Sequence, residues 1–503
     1  MTDLEMTARP GPWPGRVLLC FLLLTVFASS AWAQQQGRVM VVWAAGVSTP
    51  PSAELLAELG AVNGVAFTPV RELGGGITLL AWRADTALDS ALLLARLQED
   101  PRVEAAQADA RRSLQFVPND TDYADQWHLF EAAGIRAPAA WDLQRGSPAV
   151  VVAVLDTGIL PHEDIDPARI LPGYDFYDLT DALGNSHDND GEPGWDDDPI
   201  DPGDAVLAGE CGPGKPAENS SWHGLAVSGV FMATTDNALG IAGVDHRARL
   251  LPIRVFGKCG AWSSDIFVAL RWAAGLAVSG VPANPNPARI INLSLSYEAA
   301  CGVAEQRIID EILARGVLIV AAGGNDGGDV ANVSPASCNG VITVAASDRA
   351  GARAAFSDVG AAVDITAPGV SILTTYNLGA TDPAADWYAF ASGTSFSTPQ
   401  VSAVLALLRA DRPEATVSQL RQALQAGARP FPDSSCNTSI CGAGLLDAEG
   451  AILALRALPP PDSGGGGGCV QAAESRPEAL WWLGLAWVLY RLARRNDCAG
   501  RRV

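Results

Sequence analysis

The sequence predicts a two-part protein of the α/β class. A small α+β domain comes first, and a larger domain with a central, mostly parallel sheet between helical layers follows. Three observations carry this. Val150-Val151-Val152-Ala153-Val154-Leu155 is a continuous apolar run, as in a strand buried on both faces. Arg249 to Val255, Ile290 to Leu295, Val317 to Ala322 and Val341 to Ala345 repeat the type. Helical segments fall between these runs, at Leu225 to Thr234, Ser264 to Ala277 and Ala304 to Arg315. Strand–helix alternation implies a parallel sheet covered on both sides.

The chain opens on a targeting signal, residues 1–33. Arg16 precedes the apolar run Val17 to Phe27, and Ala31-Trp32-Ala33 offers small residues at the positions a signal peptidase reads. Residues 34–116 read as the small domain. Val39 to Trp43, Ile77 to Trp82 and Arg102 to Ala106 are its strands, and Glu54 to Leu59 and Ser90 to Leu97 its helices. It ends on the exposed basic segment Arg111-Arg112-Ser113. Residues 117–456 form the large domain. Residues 457–470 are a Pro/Gly-rich linker with Gly464 to Gly468 and Cys469. Residues 471–503 hold a short apolar helix, Ala479 to Tyr490, and an arginine-rich tail. That apolar run is shorter than the ~20 residues a helix needs to span a bilayer. The net charge of −22 over 503 residues argues against nucleic acid and anionic membrane surfaces as partners.

Chemistry concentrates in three places. The first buried strand ends in Asp156-Thr157-Gly158, which puts a carboxylate at the rim where sites form in parallel sheets. Asp-Thr-Gly also occurs in aspartic proteases, which need two such motifs, and one is present. Ser221-Trp222-His223-Gly224-Leu225-Ala226 opens an apolar helix on a histidine, with small residues that permit close packing. Gly393-Thr394-Ser395-Phe396-Ser397-Thr398-Pro399 leads into a buried helix. Pro399 fits the first turn of that helix, where no N–H is needed. Ser395 then lies at or just before the N-terminus, where backbone N–H groups favour developing negative charge. A helix cap is the other reading of Ser395.

The order Asp156…His223…Ser395, with these local sequences, resembles the subtilisin family (subtilases). The resemblance covers residues 120–450. It includes Asn292-Leu293-Ser294-Leu295-Ser296, similar to the family's substrate-lining strand, and Ala321-Ala322-Gly323-Gly324-Asn325-Asp326-Gly327, similar to its oxyanion loop. It implies a serine endopeptidase working on protein or peptide substrates through an acyl-enzyme. Ser395 would be the nucleophile, His223 the base, Asp156 its orienting acid and Asn325 an oxyanion donor. Ser294, Leu295, Ser296, Ala322, Gly323 and Gly324 would line the specificity pocket, with an apolar or broad preference. Residues 34–116 resemble the family's prodomain, which assists folding and blocks the cleft until the chain is cut within 113–122. The chain would thus be an exported monomer made as a self-processed zymogen. The family's usual His-Gly-Thr-His-Val opening is replaced by His223-Gly224-Leu225-Ala226-Val227, and on that departure rests a second reading, a catalytically inactive binding protein of the same fold. The related Ser-Glu-Asp acid peptidases would carry Glu where His223 stands.

The Gly-rich, cysteine-containing C-terminal pattern resembles sorting signals of Gram-negative secreted proteins, cut by an intramembrane protease. A flexible linker with a plain membrane anchor is the alternative. Cys211, Cys259, Cys301, Cys338, Cys436 and Cys441 suit disulfides in an exported domain, and six cysteines allow fifteen connectivities. The resemblance points to sequential pairs. It implies no cofactor for catalysis and a structural Ca2+, with Asp164 similar to a family ligand position. The acidic insertion from Asp175 to Asp204 is read as a Ca2+ loop or a solvated acidic loop.

Overall fold

The structure is a computed structural model that describes residues 35–84, 90–109, 116–180, 186–191 and 194–460. The signal segment, Arg111-Arg112-Ser113, Cys469 and the apolar run with its basic tail lie outside the described residues. The chain divides into two compact units, Met1–Leu114 and Gln115–Val503.

The first unit runs β1 (Gln35–Trp43), α1 (Ala53–Asn63), β2 (Ala66–Gly74), β3 (Ile77–Ala84), α2 (Ser90–Glu99) and β4 (Val103–Ala108). Its sheet has the order β2-β3-β1-β4, with β1 antiparallel to both neighbours. Val39, Val41, Trp43, Leu80 and Trp82 pack on Leu56, Leu59, Leu93 and Leu97. The Ser52 hydroxyl caps α1, and Gly64, at φ 71°, ends it in the left-handed region. The sequence reading does not anticipate β2. This edge strand is exposed along nearly its whole length and contains Pro69, so no apolar alternation marks it.

The second unit runs α3 (Trp127–Phe130), α4 (Ala137–Trp141), β5 (Val151–Asp156), β6 (Tyr174–Asp175), α5 (His223–Met232), β7 (Arg249–Arg254), α6 (Ser263–Ala273) and β8 (Ile290–Leu293). Then come β9 (Tyr297–Glu298), α7 (Val303–Leu313), β10 (Leu318–Ala322), β11 (Val333–Ser334), β12 (Ile342–Ser347) and β13 (Ile365–Pro368). A hairpin of β14 (Ile372–Asn377) and β15 (Asp386–Ala391) precedes α8 (Thr394–Asp411), α9 (Val417–Ala426) and α10 (Ala448–Ala457). Seven strands form one sheet in the order β13-β12-β10-β8-β5-β7-β6, and every pairing in it is parallel.

The strands read as unbroken apolar runs because their alternate residues enter two different cores. Val152 and Val154 enter the core that α5, α8, α9 and α10 also line, whereas Val151, Ala153 and Leu155 enter the one lined by α6 and α7. This is the expected three-layer arrangement. Connections from β5 go first to one side of the sheet, through β7, and then to the other, through β8. The strand order therefore reverses beside β5, and the crevice outside the strand ends at such a point is where ligands bind.

Helix α5 begins at His223, as the Ser221-Trp222-His223 stretch implies. One element start differs from expectation. Helix α8 begins at Thr394, so Pro399 lies in its second turn and Ser395 in its first. Disulfides join Cys211 to Cys259, Cys301 to Cys338 and Cys436 to Cys441, with Cα atoms 5.1, 5.0 and 5.6 Å apart. These are the sequential pairs.

Candidate active site

Asp156 ends β5 and is 3% exposed. Its Oδ1 accepts hydrogen bonds from the Thr157 N–H at 2.8 Å and from His223 Nδ1 at 2.7 Å. An ionised carboxylate only accepts, so the neutral imidazole carries its proton on Nδ1 and keeps Nε2 as the basic nitrogen.

Two glycines allow that contact. A Cβ on Gly224 would lie 2.1 Å from the Gly158 carbonyl oxygen, so the first turn of α5 sits directly on the loop leaving β5. Gly158 has φ 110°. The Gly224 N–H also donates to Thr157 Oγ1 at 3.0 Å, and that hydroxyl donates to Asp201 at 2.7 Å. Because the obstructing atoms are backbone, Gly224→Ala is expected to destabilise the fold by about 1–3 kcal/mol. Denaturant unfolding would read the loss, and an unchanged midpoint would show that the contact gives way freely.

Leu225 and Ala226 are buried beneath β14. Thr375 and Thr374 donate side-chain hydrogen bonds to their carbonyls, at 2.9 and 2.5 Å. The departure from the His-Gly-Thr-His pattern is therefore met by packing, and the Asp156–His223 hydrogen bond is intact.

The electrostatics of His223 follow from its neighbours. Burial alone would lower its pKa. The negative charge of Asp156, with Asp204 and Asp201 further away, outweighs burial and leaves the group above its ordinary 6.5. Its side chain keeps 27% exposure, enough to meet a bound molecule.

Ser395 stands in the first turn of α8. Its hydroxyl donates to the Ser294 carbonyl at 3.0 Å, and the next side chain, Phe396, meets the His223 ring edge-on at 5.6 Å between centroids. The preceding Gly393 has φ 152° and ψ 157°, a conformation open essentially to glycine alone. The N-cap residue of α8, Gly393, has no side chain to cap it, and the Ser395 hydroxyl bonds across to β8's exit rather than to its own helix.

Asn325 follows β10. Its Oδ1 accepts from the Thr394 N–H at 2.9 Å and the Thr394 hydroxyl at 3.0 Å. Both partners are donors here, which fixes the amide's orientation and leaves Nδ2 for the cleft.

Asp156, His223, Ser294, Leu295, Ser296, Asn325 and Ser395 all line one cleft of 570 Å³. Asp204, Lys215, Glu218, Phe256 and both halves of the Cys211–Cys259 disulfide line it too. Sequence reasoning did not find that wall. Asp204 closes an insertion that ends nineteen residues before His223, and proximity in sequence was the only signal. Ala322, Gly323 and Gly324 are buried and do not line the cleft. They form the strand end and turn behind Asn325, where a Cβ on Gly324 would lie 2.1 Å from Asp358 Oδ2.

Residues 147–447 match the Subtilase family, Peptidase_S8. The chain belongs to the subtilase family. This subtilase is 42% identical over 395 residues to an extracellular protease of Xanthomonas campestris, covering 78% of the chain and 66% of that protein. It is 38% identical over 368 residues to an extracellular basic protease of Dichelobacter nodosus, covering 72% of the chain and 60% of that protein. The chain thus spans less than two thirds of the length of each. Among solved structures it is similar to a protease from Pseudoalteromonas arctica, with a TM-score of 0.64 and 44% identity over 68% of this chain and all of that one.

The acidic insertion of the subtilase has its own cation. The buried Arg254 guanidinium bonds Asp175, and lies 3.0 Å from Asp188 and 2.8 Å from Asp190. A guanidinium fills the centre of these carboxylates, so they do not fit Ca2+. Asp164 is fully buried, and burial, with Asp120 adding repulsion, pushes its pKa up to about 7 against the Ile241 N–H and the Asn237 amide. Its oxygens accept from the Asn237 side-chain N–H and the Ile241 N–H, both at 2.8 Å, so the groups facing it are hydrogen-bond donors and not the oxygen ligands that a hard cation takes.

Proposed function

We propose that this subtilase is an exported serine endopeptidase. The observation that carries the reading is the convergence of Asp156, His223, Asn325 and Ser395, from four separate chain segments, on one cleft. The names of the two extracellular relatives support the same activity and location.

An unactivated serine hydroxyl is a poor nucleophile near neutral pH. His223 Nε2 takes its proton as Ser395 Oγ attacks the peptide carbonyl, and Asp156 stabilises the imidazolium. His223 then returns the proton to the leaving amine, and water repeats the sequence on the acyl-enzyme. The hydrogen bond from Ser395 to Ser294 must yield to one with His223, a tightening that unliganded sites commonly await. The Asn325 amide and the Ser395 N–H receive the oxyanion. Asn325→Ala is expected to lower kcat by roughly 10²–10³-fold, as for the equivalent loss in subtilisin, with little change in KM. Equal losses in binding and turnover would assign Asn325 a different role.

Residues 1–33 serve export, residues 34–116 act as prodomain, and the C-terminal Gly-rich segment with Cys469 serves sorting. The reaction uses His223 as its base and routes no step through a metal ion.

A fluorophosphonate probe tests the reading. Labelling of the processed protein that vanishes in Ser395→Ala is the expected result. Absence of labelling in the native sequence would overturn it.

A further inference from the structure

The Ser395 peptide group is bonded from a neighbouring strand as well as from its own helix. In a regular helix the Ser395 carbonyl would accept the N–H four residues on, but that residue is Pro399, which has none. A substitute comes from the neighbouring strand. The Ser294 hydroxyl donates to the Ser395 carbonyl at 2.8 Å. The Ser294 hydroxyl oxygen in turn accepts from the Asn292 side-chain Nδ2 at 2.9 Å, and the Asn292 side-chain Oδ1 accepts from the Ser402 hydroxyl at 2.8 Å. Asn292 and Ser402 are fully buried, and Ser294 is 3% exposed.

All three bonds point the same way, so each polarises the next. The chain leaves α8 at Ser402, crosses to β8, and returns to α8 at Ser395. The return bond from the Ser395 hydroxyl to the Ser294 carbonyl, at 3.0 Å, makes the contact reciprocal. Strand β8 thus grips the nucleophile's peptide group from the side, where the helix leaves its carbonyl unbonded.

We propose that Ser294, Asn292 and Ser402 are positioning residues, which hold the Ser395 backbone and thereby aim both its hydroxyl and its N–H. This inference rests on the peptidase reading. Pro399 is part of the device. With no N–H at that position, the helix cannot compete for the Ser395 carbonyl, and its direction is set by β8 alone.

The test is a double-mutant cycle between Ser294→Ala and Pro399→Ala, with kcat and KM referred to the concentration of fluorophosphonate-reactive sites. Ser294→Ala is expected to lower kcat about tenfold or more with KM little changed, because a buried acceptor is orphaned and the nucleophile shifts. Pro399→Ala restores a backbone donor to that acceptor. The double variant should therefore recover several-fold over Ser294→Ala, which a general loss of packing would not produce. Additive losses, or an unaltered kcat in Ser294→Ala, overturn the proposal. Should Ser294→Ala fail to fold, Ser402→Ala is expected to lower kcat in the same direction by a smaller factor, and unchanged kcat there overturns it equally. The native sequence separates the two levels. If it is inert to the probe, the peptidase reading fails, whereas an active native enzyme with additive variants sinks only the positioning role.

Discussion

Replacing Ser395 with alanine is expected to lower kcat on a peptide substrate by roughly 10⁶-fold, the scale of nucleophile loss in subtilisin. Removing the hydroxyl removes the atom that forms the acyl-enzyme, and nothing else in the cleft replaces it. Residual turnover would come from the oxyanion donors acting on water. The structural cost should be small. The hydroxyl makes a single side-chain hydrogen bond, to the Ser294 carbonyl, whose loss is worth about 1 kcal/mol. Thermal unfolding beside kinetics would separate the two effects. A variant that keeps turnover within about tenfold of the native enzyme would exclude Ser395 as nucleophile.

Asp156→Asn is expected to lower kcat by roughly 10⁴-fold, the cost of the analogous change in another Ser-His-Asp site. The amide can donate to Nδ1, which favours the tautomer with its proton on Nε2 and removes the base. The same change moves the pH profile. Burial depresses His223, and Asp156, aided by Asp204 and Asp201, lifts it above 6.5. In the native enzyme the acid limb of kcat/KM therefore lies above 6.5, and activity grows as His223 loses its proton. In Asp156→Asn the largest opposing charge is gone, so the limb should move to lower pH while the plateau falls. Stability follows the opposite sign. A raised pKa in the folded state means that the His223–Asp156 pair contributes fully below 6.5 and loses that contribution as pH rises through the folded value. A limb that stays in place would mean that Asp156 does not govern His223.

The three residues proposed as the triad were picked out by the resemblance of their local sequences, in this order, to the subtilase family. Asp156 ends an apolar run, His223 opens a helix of small residues, and Ser395 stands in the first turn of a buried one. The strands were legible for a different reason. A strand buried on both faces must be apolar at every position, as in Val151 to Leu155. Edge strand β2 was not, because solvent accepts almost any side chain and Pro69 is tolerated there. The place of Pro399 was misjudged. Local preference puts proline in a first turn, and only the approach of Ser294 from another strand makes the second turn acceptable.

The acidic insertion shows the same limit. Its carboxylates suggested an ion, but the cation is Arg254, more than fifty residues further along the chain. The sequence by itself determined the fold class and the three layers, because burial periodicity is a property of short segments, and its motifs in order pointed to the family and so to the proposed reactive groups. The tertiary structure alone decided what each group meets: the Gly224–Gly158 contact that joins His223 to Asp156, the disulfide-bound wall of the cleft, and the strand that supplies the Ser395 carbonyl with a donor. Those depend on the distance between segments far apart in the chain, which packing sets and no local pattern records.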